Sequence, residues 1–236
     1  MGADQHFDMR EQIAATLGWW RDAGVDTLVD DTARDWLAAA VASPQPAVAP
    51  AEATAPALPE TLAEFIAWRS GDAATERRWG RSPLPPEGDP GAAIHVVVDS
   101  PDDGATYVAG GAGRLLDRML AAIGLDRSAV CITGLAWARP VGGSVPAADL
   151  PALTAQSLHL LSLARPKRVL LLGQATSRAL LGTDSARPSG LLHAINHRGA
   201  ELVLVAAWHP RFLLERPAAK SDAWRDLQVL IGGIDK

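Results

Sequence analysis

Four short apolar runs constrain this chain more than anything else in it: Ile94–Val98, Val130–Thr133, Arg168–Leu172 and Leu202–Ala206, each bounded by turn residues. Apolar runs without polar alternation belong to strands buried on both faces, as in parallel sheets covered by helices. Helical patterns lie between the first three. Leu115, Leu116, Met119, Leu120 and Ile123 form one apolar face, and Leu153, Leu158, Leu161 and Leu163 form another. Strands alternating with helices predict parallel βαβ units with right-handed crossovers. Gly173-Gln174-Ala175 opens a further helix, and Pro217 to about Ile231 a last one. The expected fold is α/β, a three-layer αβα sandwich around a central four-stranded parallel sheet.

In such a sheet the loops after the strands all open on one edge, where ligands bind. Those loops are Asp99-Ser100-Pro101, Gly134-Leu135-Ala136-Trp137, Gly173-Gln174 and Trp208-His209-Pro210. The last sets an imidazole at the strand's carboxyl end, and proline then starts the next turn without needing a backbone donor. A crevice lined by these four loops is the predicted site.

The rest of the chain reads as an appendage. Residues 1–42 suggest two short helices, with Ile13, Leu17 and Trp20 at helical spacing and Asp31 as a cap for the second. Residues 43–59 are Pro/Ala-rich and almost uncharged, the composition of an extended linker. Residues 60–236 hold the α/β domain, beginning with a short helix over Thr61–Trp68 and an irregular Gly/Pro-rich stretch over 70–92. The net charge of −5 is uneven: ten carboxylates against three arginines give residues 1–60 a charge of −7 and leave +2 on the remainder. A mildly positive domain is compatible with DNA contact without requiring it, whereas the acidic extension suits a protein partner. No apolar stretch is long enough to span a membrane, and the N-terminus has no cationic-then-apolar signal pattern, which predicts a soluble cytoplasmic protein. The single cysteine, Cys131, rules out an internal disulfide.

The order of segments from Thr61 onward resembles the iron–sulfur (family-four) uracil-DNA glycosylases. The resemblance rests on Gly113-Arg114-Leu115-Leu116-Asp117-Arg118-Met119, on Ile132-Thr133 with Arg139-Pro140, and on Arg165-Pro166-Lys167-Arg168-Val169-Leu170-Leu171-Leu172-Gly173. It is strongest over His209-Pro210 through Leu227. It implies action on DNA in base-excision repair, with hydrolysis of the bond between sugar and a damaged base. It also implies catalytic roles for Asp99, at the acidic position after the first strand, and for His209. Ser100, Pro101, Tyr107 and Gly134 fall at positions of the base pocket, and Pro210, Arg211, Phe212 and Leu213 at positions facing DNA. The chain departs from the pattern in three ways. Val98 and Asp102 replace glycines that flank the acidic residue; the stacking phenylalanine has no clear equivalent, with Tyr107 the candidate, offset by one position; and Gly134 stands where an asparagine reads the uracil edge. The cluster cysteines are also missing, with Ser70–Thr75 and Ala138 near their expected positions, so no iron–sulfur cofactor is expected.

The residue types fit that chemistry. Cleaving a glycosylic bond needs an extruded base held by stacking and edge hydrogen bonds. It also needs stabilisation of a cationic sugar and an anionic leaving base. His209 can donate to the base oxygen or merely cap the last helices; Asp99 can position water, oppose the sugar's charge, or form an Asx turn before Pro101. Phe212-Leu213-Leu214 can wedge into a duplex or pack the domain. Without an asparagine at position 134 selectivity should fall, leaving open a catalytically degenerate module that binds DNA or a repair partner without turnover.

Overall fold

A computed structural model describes residues 13–16, 18–19, 58–72, 74–102, 105–182 and 190–232. The chain divides into a unit over Met1–Ala55 and a larger one over Pro56–Lys236. In the first, residues 13–16 and 18–19 are helical, with Ile13 and Trp19 exposed. The other expectations for residues 1–42 and 43–59 lie outside the described residues.

The larger unit is built on a six-stranded sheet in the order β1-β3-β2-β4-β6-β5. Its strands are β1 (Glu87–Gly88), β2 (Ile94–Val98), β3 (Val130–Gly134), β4 (Arg168–Leu172), β5 (Leu192–His197) and β6 (Ala200–Ala207). The four central strands are parallel, as the apolar runs predict; β1 and β5 add antiparallel edges, so the sheet has six strands rather than four. Every residue of β2 and β3 is buried, whereas β5 alternates between exposed and half-buried positions. That contrast is the difference between a central strand and an edge. The 70–92 stretch, read as irregular, holds a 3-10 turn over Thr75–Trp79 as well as β1.

Helices cover both faces. They are α1 (Leu62–Ser70), α2 (Gly110–Ala122), α3 (Leu150–Ala164), α4 (Gln174–Leu181), α5 (Pro210–Glu215) and α6 (Lys220–Ile231). Ile94, Val96, Val98, Leu170, Leu172 and Val205 point to one face, against Leu116 and Leu120 of α2 and Leu227 and Leu230 of α6. Val97, Val169, Leu171 and Leu204 point to the other, against Leu161 of α3 and Leu180 of α4. The period of two along each strand thus splits the core into the two outer interfaces of a three-layer sandwich.

Register is what positions the site. Val98 pairs with Gly134, and Leu172 with Ala207, so the strands end level on one edge. The residues that follow the four central strands, Asp99, Leu135, Gly173 and Trp208, therefore emerge side by side. Gly173 makes the turn from β4 into α4 at φ 97°, a conformation L side chains rarely adopt. A Cβ there would also lie 3.5 Å from His209 Cβ.

Candidate active site

Asp99 and His209 line one crevice of about 290 Å³, together with Leu172, Gly173, Thr176, Arg211 and Phe212. This is near the lower end for ligand pockets, which run from roughly 300 to 1,000 Å³. Two buried polar atoms at this crevice have no partner among the described residues, Asp99 Oδ1 and His209 Nε2. Buried polar groups normally find partners, so a pair of orphans at one cavity marks a place where something else binds.

The state of His209 follows from its role at the start of α5. It is the N-cap residue, and its Nδ1 accepts the backbone N–H of Arg211 at 3.1 Å. In the neutral ring the proton must then sit on Nε2, the orphaned atom. Burial pulls the imidazole pKa below its ordinary value and Arg211 pulls it the same way, while Asp99 and Asp102 pull it back up. The result is a neutral imidazole with a free N–H donor.

Phe212 supplies the crevice's aromatic surface. Its ring stacks on Trp208 at 4.4 Å between centroids with 25° between planes. The i, i+4 spacing of Trp208 and Phe212 is the sequence signal that pairs them. Pro210 is buried at the first position of α5, where its missing N–H costs nothing. Leu213 is 1% exposed and belongs to the core, so it is not available to DNA; its neighbour Leu214, 48% exposed, holds the outward position.

The opposite wall departs further from the expected arrangement. Tyr107 offers no open stacking face. It is 0% exposed, its hydroxyl donates to Leu84 O at 2.5 Å, and its N–H donates to Glu87 Oε1 at 2.6 Å. Arg127 ties the same segment down by donating to Glu87 Oε2 at 3.2 Å and to Val108 O at 3.1 Å. Gly134 packs beneath the Tyr107 ring: a Cβ there would lie 2.8 Å from Tyr107 Cε1 and 2.2 Å from Ala136 O. The backbone itself closes the position where an asparagine would stand. Ser100 is buried, and Pro101 lines a separate hollow with Arg81, Ser82, Leu84, Trp137 and Arg139.

Asp102 is a site residue that sequence reasoning missed. Its carboxylate accepts the Ala109 N–H ahead of α2 at 2.9 Å and pairs with Arg211, while its carbonyl accepts from Arg139. It thereby ties the loop after β2 to α5 across the crevice mouth. Arg211 is thus a paired cation that also borders a neighbouring groove with Arg139 and Leu214.

The residues present do not fit an iron–sulfur cluster. Cys131 is buried in the middle of β3, with burial pushing its thiol up to about 12. A cluster needs about four thiolates. Ser70, Thr75 and Ala138, near the expected ligand positions, are accompanied by a buried Arg69–Glu76 ion pair beneath the Trp137 ring. Among the described residues no group of three or more His, Cys, Asp or Glu could hold a metal ion, and no helix is long and apolar enough to cross a membrane.

Comparison with known proteins agrees with this architecture. The Uracil DNA glycosylase superfamily matches residues 85–228. The chain is 24% identical over 185 residues to the type-4 uracil-DNA glycosylase of Pyrobaculum aerophilum, covering 74% of this chain and 93% of that protein. It is 27% identical over 159 residues to the type-4 uracil-DNA glycosylase of Archaeoglobus fulgidus, covering 62% of this chain and 79% of that protein. The matched span takes in every strand of the sheet, from β1 into α6, and with it both Asp99 and His209. The chain belongs to the uracil-DNA glycosylase superfamily.

Proposed function

We propose that this protein is a divergent DNA glycosylase of base-excision repair, hydrolysing the bond between deoxyribose and uracil or another damaged base. The observation that carries the reading is the pair of orphaned atoms, His209 Nε2 and Asp99 Oδ1, on one crevice with Phe212. An extruded base lies against the Phe212 ring, which is held rigid by Trp208. As the glycosylic bond breaks, its electron pair moves onto the base, and negative charge collects on the ring oxygen. His209 donates a hydrogen bond from Nε2 to that oxygen. Burial and Arg211 lower its pKa and favour the neutral ring, whose N–H donor lies on Nε2. The Asp99 carboxylate opposes the positive charge left on the sugar and orients the water that adds to it. Arg211 and Arg139 border the adjoining groove, where a DNA strand's phosphates would run.

Single-turnover cleavage of oligonucleotides carrying uracil and a panel of other damaged bases tests this. His209→Ala should lower the rate about 10²-fold, the usual scale for one oxyanion donor, with DNA affinity little changed. Asp99→Asn should act alike. The closed position at Gly134 favours a second reading, a glycosylase fold that binds DNA or a repair partner without turnover. It also leaves the base edge without its asparagine, so the enzyme reading predicts slow, weakly selective cleavage. No cleavage of any base, with DNA binding unchanged in both variants, favours the second reading.

A further inference from the structure

We propose that the buried Arg69–Glu76 pair is a positioning device for Asp99, bracing the crevice wall from behind. The proposal rests on the reading of Asp99 as a group that acts on the substrate.

Both side chains are 0% exposed. Arg69, near the end of α1, donates from Nη2 to Glu76 Oε1 at 3.2 Å and also to the carbonyl of Leu135. Glu76 Oε1 accepts the backbone N–H of Trp137 at 2.7 Å. The pair therefore grips residues 135 and 137, on either side of Ala136. The Ala136 N–H in turn donates to Asp99 O at 3.0 Å, and the Leu135 N–H donates to Val98 O at 2.8 Å. Two hydrogen bonds thus join the buried charges to the turn, and two more join the turn to Val98 and Asp99. The Arg69 guanidinium lies 4.7 Å from the centre of the Trp137 ring, which covers the pair with an aromatic face.

Stability alone does not account for this arrangement. Buried ion pairs recover their desolvation cost only when the remaining polar atoms are satisfied. Here Arg69 Nε, Arg69 Nη1 and Glu76 Oε2 have no partner among the described residues. An apolar pair of similar size would pack the same space more favourably. What it could not do is hold one carbonyl and one N–H of the same turn at fixed positions, because that needs a donor and an acceptor locked together.

The test uses the full-length protein and two variants. Arg69→Met combined with Glu76→Leu fills the space and removes every bond to the turn; Glu76→Gln keeps an acceptor for the Trp137 N–H. Native-state amide exchange is followed at Leu135 and Ala136, with Leu170 and Val205 in the sheet as internal references. The double variant should speed exchange at Leu135 and Ala136 by about 10-fold or more while the reference amides hold, and Glu76→Gln should restore most of the protection. Single-turnover cleavage should fall by about 10- to 100-fold in the double variant with DNA affinity unchanged. Unchanged exchange at Ala136, or equal acceleration at all four amides, would overturn the proposal. If the double variant does not fold, Arg69→Lys, which keeps the charge but loses the planar fork, is measured against the same two outcomes. Exchange decides the matter even if the wild type cleaves nothing, a result that would count against the role of Asp99 and not against the brace.

Discussion

Asp99 and His209 face one crevice from the ends of two parallel strands, yet the chain beyond them is handled differently. Beyond β6 a single residue does two jobs: one nitrogen of His209 caps α5, and the other is left free for a ligand. Beyond β2 and β3 the wall is filled in. Tyr107 is pulled into the core, Gly134 is pressed beneath it, and Asp102 crosses to α5. The first wall leaves a donor free for a ligand by using the other ring nitrogen as a cap. The second keeps the backbone frame but replaces recognition with packing. Divergence in this protein is therefore uneven. The group that the proposed mechanism sets against developing charge stays, and the group that would read the base edge is gone.

The comparison is most directly broken at Gly134. Gly134→Asn should destabilise the protein by about 3 kcal/mol or more, because the new Cβ meets backbone as well as a ring. Urea denaturation checks this; a stable variant with sharpened uracil selectivity would show that the filled wall can still open. Next comes the pair Leu213 and Leu214. Leu213→Ala should lose about 3 kcal/mol, within the range for buried leucines. Leu214→Ala should leave the unfolding midpoint nearly unmoved and weaken binding to duplex DNA instead.

Histidines on the two sides separate stability from activity. His95 lies buried in β2, its Nε2 3.1 Å from Pro90 O, and burial lowers its pKa to about 4. A histidine with a depressed folded pKa binds its proton more readily in the unfolded chain. The stability it contributes is thus complete above about pH 6.5 and is lost as pH falls from there toward 4. The loss is roughly 3 kcal/mol, and His95→Gln should flatten that part of the profile. His209 shifts in the same direction, so cleavage should hold its rate below the pH at which an ordinary imidazole protonates. The smallest expected effect is on the N-terminal side. Removing residues 1–57 leaves Leu58 on the core and the Pro59 carbonyl bonded to His159, and the unfolding midpoint should move by no more than about 2 °C.

The central sheet was legible because its signal is local. The bounds of β2 and β4 coincide with apolar runs that turn residues interrupt, and strand-end geometry then assigns Asp99 and His209 to one edge. The edge strands were not legible. β1 is two residues long, and β5 carries His193, Asn196 and His197 at positions that only need to pair with β6. Tyr107 lies in a Gly-rich stretch that gives no local sign of burial. What buries it are Leu84 and Glu87, some twenty residues earlier in a stretch whose prolines and glycines read as irregular. The Asp102–Arg211 link joins residues 109 apart and leaves no local pattern. Leu213 and Leu214 are chemically identical, and only the helix direction set by the His209 cap decides which one faces outward.

A wall braced by arginine and glutamate is finished as soon as the polypeptide folds. It asks nothing of sulfur mobilisation or iron delivery, and it has no thiolate that oxygen or peroxide could strip. Cys131, the one thiol in the chain, sits inside the sheet with its proton held firmly in place. Synthesis in an iron-starved or strongly oxidising cell should therefore yield the same fold as synthesis in a replete one.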